Sequence, residues 1–213
     1  MKEKIKEFIT KNLKWIILFI CLTIFLGLAE DVFNKELMNG DIMGYKFVST
    51  YLMSDFATPI TKFITNFGGA IFIIILTVIL FVIIKNKKIG ISIISNLVII
   101  TAINQILKRI VQRPRPTEYR IIEETGYSFP SGHSMISMAF YGYLIYLIYK
   151  YVKNKYLKYI SIILLSILIC SIGISRIYLG VHYTSDVLAG FMISISYLII
   201  YISAVNKFFI KDE

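Results

Sequence analysis

Only two histidines occur in this chain, His133 and His182, and each stands beside polar groups of the kind phosphate chemistry requires. The run Ser175-Arg176-Ile177-Tyr178-Leu179-Gly180-Val181-His182-Tyr183-Thr184-Ser185-Asp186 sets an acid four positions after the second histidine. On a first helical turn that spacing puts both on one face, where Asp186 can fix the imidazole tautomer and make the other nitrogen of His182 the better nucleophile. A pair that merely anchors a helix head has the same spacing, but Arg176 beside it weakens that alternative. Phe129-Pro130-Ser131-Gly132-His133 opens another apolar run. A helix starting there presents free backbone N–H groups and a positive dipole end. Gly132 lets an anion approach closely, the Ser131 hydroxyl adds a donor, and His133 is placed to hand over a proton. A serine cap with an incidental histidine would look alike. The third cluster is Lys108-Arg109-Ile110-Val111-Gln112-Arg113-Pro114-Arg115-Pro116, where the prolines stop a helix and the cations suit phosphate oxygens. Alone, it reads first as a basic collar for anionic head groups.

The elements that must position these clusters are membrane spans. Of the 213 residues 57% are hydrophobic and 17% charged, with a mean hydropathy of +0.72, so the bilayer is the expected solvent. Uncharged apolar stretches at 15–29, 63–84, 89–107, 135–149, 159–175 and 187–205 approach or reach the roughly 20 residues that cross about 30 Å of hydrocarbon. The shorter ones gain length from snorkelling Lys14, Lys150 and Lys158. The net charge of +10 is scattered in short clusters between these runs, which argues against nucleic acid as a partner. Cys21 and Cys170 lie inside apolar runs and imply neither a disulfide nor a metal site.

Charge fixes orientation. Residues 1–14, 85–88 and 150–158 sum to +3, +3 and +4, whereas 30–62 sum to −2, so both chain ends and the second and fourth connections are expected in the cytoplasm. The third connection, 108–124, faces outward yet carries five basic residues against three acidic ones. Basic residues placed against the bias need another purpose, and this is where the first cluster lies. The start of the chain also resembles a signal peptide, with a small-x-small site at Gly27-Leu28-Ala29. A retained anchor is favoured, and cleavage would leave the remaining topology unchanged. Residues 41–56 mix apolar and polar positions at near-helical spacing and suit either an interfacial helix or a packed loop. No internal repeat interrupts the chain, which makes 1–213 one membrane domain.

Taken together, the three clusters resemble the motifs of the type 2 phosphatidic acid phosphatase superfamily, a family related to vanadium haloperoxidases. That family carries Lys, six residues and Arg-Pro; then Pro-Ser-Gly-His; then Ser-Arg, five residues, His, three residues and Asp. Here Lys108, Arg115 and Pro116, Pro130, Ser131, Gly132 and His133, and Ser175, Arg176, His182 and Asp186 fill every position. The resemblance implies an all-α, polytopic fold of six transmembrane helices with its active site at the outer membrane-water boundary of the cytoplasmic membrane. It implies a metal-independent, cofactor-free double displacement on a lipid phosphate or diphosphate, with His182 as nucleophile, Asp186 orienting it and His133 as general acid. Lys108, Arg115, Ser131, Gly132 and Arg176 would hold the phosphoryl oxygens. Arg109 and Arg113 fall on variable positions, where head-group contacts are expected. Phosphatidylglycerophosphate ranks first as substrate and undecaprenyl diphosphate second; no obligate protein partner is implied. A metal hydrolase is disfavoured by the nearby cations and a haloperoxidase by the membrane body. A non-enzymatic lipid-binding or transport protein would carry ionisable groups along a path within its spans, whereas here fixed charges stop at the span ends.

Overall fold

A computed structural model of the chain describes residues 2–35 and 38–209, with side chains from residue 12 onward. The secondary structure among them is helical: α1 (Lys2–Phe33), α2 (Asn39–Tyr51), α3 (Ala57–Asn66), α4 (Ala70–Ile83), α5 (Lys87–Val111), α6 (Gly132–Tyr151), α7 (Lys155–Tyr178) and α8 (Thr184–Phe208). Helices satisfy their own backbone groups, as a chain in hydrocarbon must. Four of them are long and apolar enough to cross a bilayer: Asn12–Phe33 of α1, and α5, α7 and α8. A fifth arises if α3 and α4, bent by 50° at a short break, count as one span. The molecule is thus a multi-pass membrane protein. The terminal residues 1 and 210–213, which the charge pattern assigns to the cytoplasmic side, lie outside the described residues.

The apolar run 63–84 is therefore not one straight helix. Its helix begins earlier, at Ala57, stops at Asn66, and resumes at Ala70 after Phe67, Gly68 and Gly69. A side chain at Gly68 would have its Cβ 2.7 Å from Ile172 Cγ2 and 3.1 Å from His133 Cδ2. The break thus lays bare backbone against His133, and Tyr141 Oη donates to the Phe67 carbonyl at 2.7 Å, occupying a group the break has freed.

The run 135–149 lies in α6, which is not among the candidate spans and whose 20 residues include five tyrosines and two serines. Its position explains that composition. α6 packs against α5, α7 and α8, and Met135, Ala139, Phe140 and Tyr143 are fully buried. Its neighbours supply polar partners: Tyr143 Oη donates to Ser92 Oγ at 2.8 Å, Asn96 Nδ2 to the Ala139 carbonyl at 3.0 Å, and Ser194 Oγ to the Met135 carbonyl at 2.8 Å. A helix wrapped in protein needs hydrogen-bond partners and small contacts more than a lipid-compatible surface. That surface is carried by outer helices, where Ile71, Val82, Val98, Ile110 and Leu164 are exposed.

Within 41–56 the helical alternative holds for α2. Asp41, Gly44 and Val48 share one face, directed at α7 and α8. Gly44 is needed there, because a Cβ would collide with the Thr184 side chain at the start of α8. The ends of α5 and α7, the starts of α6 and α8, and α2 all meet at one end of the bundle.

Candidate active site

The chain reaches His182 through a turn at Gly180, whose φ of 68° and close approach to the Tyr119 backbone exclude a side chain. α8 begins only at Thr184, so His182 precedes the helix instead of lying on its first turn, as the i, i+4 spacing suggests. The pair still forms, because Asp186 folds back to cap the helix: its Oδ2 accepts the Tyr183 N–H at 2.9 Å. That oxygen stands 3.4 Å from His182 Nδ1. Ser128 Oγ lies 2.5 Å from Asp186 Oδ2 and 3.2 Å from His182 Nδ1, so its proton goes to the carboxylate and its oxygen accepts from the imidazole. On the opposite side Arg115 Nη1 is 3.0 Å from His182 Nε2. A guanidinium can only donate, so Nε2 must be the acceptor and the imidazole proton sits on Nδ1. Contacts on both sides of the ring define one tautomer. Burial pulls the His182 imidazole down to about 4, against the raising effect of Asp186 and with Arg115 and Arg176 lowering it further. At neutral pH the ring is uncharged, with its Nε2 lone pair facing the cations.

Arg115 is tied to the carbonyls of Gly126, Thr125 and Val181 at 2.9–3.0 Å, which braces its fork. Arg176, only 1% exposed, donates to Thr65 Oγ1 at 2.7 Å and forms an ion pair with Glu124. The other Glu124 oxygen is 4.0 Å from Arg115 Nη2, so one carboxylate spans both guanidiniums. Lys108 Nζ donates to the Tyr127 carbonyl. A Cβ at Gly132 would stand 3.2 Å from Asn104 Oδ1 and 3.9 Å from Lys108 Cε; the glycine lets the start of α6 nestle against α5. Ser131 caps α6: its Oγ accepts from Ser134 N at 3.4 Å and Ser134 Oγ at 3.0 Å, leaving its own proton to donate. The Ser131 N–H bonds the Asp186 carbonyl at 3.0 Å, joining the two histidine-bearing turns. His133, beside Gly68, lies within Coulombic reach of Arg176, His182, Arg115 and Lys108.

All eight residues singled out by type and spacing thus meet at one end of the bundle. Ser128, Glu124 and Asn104 were not singled out, because no spacing rule marks them. Arg113 departs most from expectation: instead of facing head groups it is mostly buried, with Nη1 2.7 Å from Asp186 Oδ1 and Nη2 2.7 Å from Asp41 Oδ2. Arg109 is exposed. Beside His182 a cavity of about 720 Å³ opens between α2 and residues 116–119, lined by Ile42, Tyr45, Lys46, Tyr119 and Tyr183.

The molecule is thus a helical membrane protein that holds an oriented histidine against Arg115 at one end of its bundle, with Arg176 and Lys108 close by. The chain belongs to the PAP2 superfamily, whose family model matches residues 89–210. Phosphatidylglycerophosphatase B of Bacillus subtilis (strain 168) is 35% identical over 94 residues, which make up 44% of this chain and 46% of that relative. The alignment therefore spans about half of that relative's length. An undecaprenyl-diphosphatase of Sulfolobus acidocaldarius is 27% identical over 204 residues, 89% of this chain and 91% of the relative. Among solved structures, the crystal structure of the first transmembrane PAP2 type phosphatidylglycerolphosphate phosphatase, from Bacillus subtilis, matches with a TM-score of 0.79 and 25% identity. The match covers 92% of this chain and 98% of that one.

Proposed function

We propose that the protein is an integral membrane lipid phosphatase that hydrolyses a terminal phosphate from a lipid phosphate or diphosphate by a metal-independent double displacement. The observation that carries this reading is the imidazole of His182, held as one tautomer by Asp186 and Ser128 with Nε2 turned to Arg115. Nε2 attacks phosphorus as the bond to the leaving oxygen breaks, and His133 gives that oxygen its proton. Lys108, Arg115, Ser131, the backbone at Gly132 and Arg176 hold the phosphoryl oxygens and oppose the charge that develops on them. Water then attacks the phosphohistidine, releasing phosphate. The cations and the helix start supply the electrostatics that a metal provides elsewhere, and among the described residues no three His, Cys, Asp or Glu side chains converge as a ligand set.

α6 supplies the sixth span beside the four long helices and the bent α3–α4 pair, and residues 1–213 form one membrane domain. The positive-inside pattern supports a cytoplasmic membrane location with both termini inside and the site outside. The lipid is drawn from the bilayer, with neither nucleic acid nor an obligate protein partner involved. Phosphatidylglycerophosphate is the favoured substrate, on the names that the Bacillus subtilis relative and the solved Bacillus subtilis structure carry. Undecaprenyl diphosphate is the second reading, because the relative so named aligns over nearly its whole length. Phosphate release by the purified protein, in EDTA, from each lipid and from phosphatidic acid tests the proposal. His182→Ala should abolish both turnover and trapped phosphoenzyme. Turnover that survives in this variant, or that EDTA removes and zinc or magnesium restores, overturns it.

A further inference from the structure

The carboxylate that orients His182 is itself held from behind. Asp186 Oδ2 takes the Tyr183 N–H and the Ser128 hydroxyl and faces His182, while Oδ1 takes Arg113 Nη1 at 2.7 Å. The other arm of that guanidinium meets Asp41 Oδ2 at 2.7 Å. Asp41 is anchored in turn: Oδ1 accepts the Ser185 N–H at 2.7 Å and Oδ2 the Ser185 hydroxyl at 2.9 Å. Ser185 Oγ also takes an N–H of Arg113 at 2.7 Å, and the guanidinium lies over the Tyr183 ring at 3.9 Å. A planar fork fixed by two carboxylates, a hydroxyl and a ring face has one orientation, which a lysine could not reproduce. We infer that Arg113 and Asp41 are positioning residues for the reactive pair, a carboxylate–guanidinium–carboxylate bridge through which α2 aims Asp186 at His182.

The inference rests on the proposed roles of His182 and Asp186, and extends them to an element outside the matched family region, since α2 precedes residue 89. Asp41 and Asp186 are 7% and 0% exposed, and two buried carboxylates so close need the cation between them. With Arg113 in place the trio keeps one net negative charge beside an imidazole that becomes cationic when Nε2 bonds phosphorus. Without it, Oδ1 loses its partner and the carboxylate is free to turn. A displacement of about 1 Å at a reacting group costs on the order of 100-fold in rate.

The test compares Arg113→Gln, Arg113→Lys and Asp41→Asn, each alone and combined with Asp186→Asn. It follows kcat and KM on a short-chain, water-soluble lipid phosphate, with thermal unfolding as the measure of folding. Arg113→Gln should lower kcat by about 10- to 100-fold with KM changed less than about threefold, and Arg113→Lys should not rescue it. Asp41→Asn should lower kcat by several-fold. In the Asp186→Asn background each of these losses should shrink to less than about threefold, because residues that act through Asp186 have nothing left to aim. A role confined to stability would depress both backgrounds alike, and that outcome overturns the inference. So does a rise in KM at unchanged kcat, which would make Arg113 a substrate contact. If Arg113→Gln fails to fold, Asp41→Asn decides by the same criterion. Wild-type kcat in Asp186→Asn alone would overturn the reactive-pair reading itself, and with it the bridge.

Discussion

Glu124 pairs with Arg176 and lies 4.0 Å from Arg115, the two guanidiniums proposed to hold the phosphoryl oxygens, so on that reading substrate and carboxylate compete for them. Removing that competitor raises the fraction of sites ready to bind. Glu124→Gln should therefore tighten inhibition by inorganic phosphate about 3- to 10-fold. Weaker inhibition in the variant would mean that Glu124 braces Arg176 instead. The buried imidazole of His182 makes a second prediction. With its pKa down to about 4 the neutral form, the one the proposed mechanism uses as nucleophile, persists from pH 8 to below 5, and on that reading activity is lost through this group only as pH falls through about 4. After correction for substrate ionisation, kcat/KM should show no acid limb belonging to His182 above pH 5. A limb near the ordinary histidine value that shifts in Asp186→Asn would contradict this. That His182, Asp186, Arg176 and Arg115 come together was legible in the three motifs and their resemblance to a family pattern. Arg113 was not, since its worth lies in Asp41, and Asp41 meets Ser185 across 144 positions of sequence.

The break between α3 and α4 has a role only once α6 is in place. A Cβ at Gly68 would press on Ile172 and on the His133 ring, so Gly68→Ala should displace the proposed general acid while leaving His182 where it is. His133→Ala should lose the 10²–10⁴-fold typical of general acid catalysis on alkyl phosphates, and much less on an activated phenol, whose leaving group needs little protonation. Gly68→Ala should show the same substrate dependence at smaller amplitude. Equal losses on both leaving groups in either variant would assign His133 another part. The apolar run 63–84 was readable as membrane-embedded, but its bend was not, because hydrophobic residues continue on both sides of Gly68-Gly69. α2 stayed open between helix and loop for a related reason. Asp41 and Gly44 look like breaks in an apolar face until Arg113 and Thr184 are seen to receive them.

Over the whole molecule, the connections alternate between the site end and an opposite end rich in lysine, where Lys87 reaches the Phe81 carbonyl and Lys158 lies over the Tyr149 ring. In a chain whose own cysteines are replaced, Glu118→Cys should react with an impermeant maleimide in intact cells. Asn86→Cys and Lys153→Cys should react only after the membrane is opened. The reverse pattern would put the site in the cytoplasm. The multi-pass character was legible in hydropathy, since lipid imposes a coarse code. α6 escapes that code, because its environment is other helices. This has a consequence for biogenesis. Insertion machinery selects segments by their own partitioning into lipid, and α6, with its tyrosines, serines and His133, is not among the helices long and apolar enough to cross alone. As the proposed sixth span, it would be held in the bilayer cooperatively, by α5 before it and by α7 and α8 after. A nascent chain ending just beyond α6 should leave that segment extractable by alkali, and one continuing through α8 should hold it.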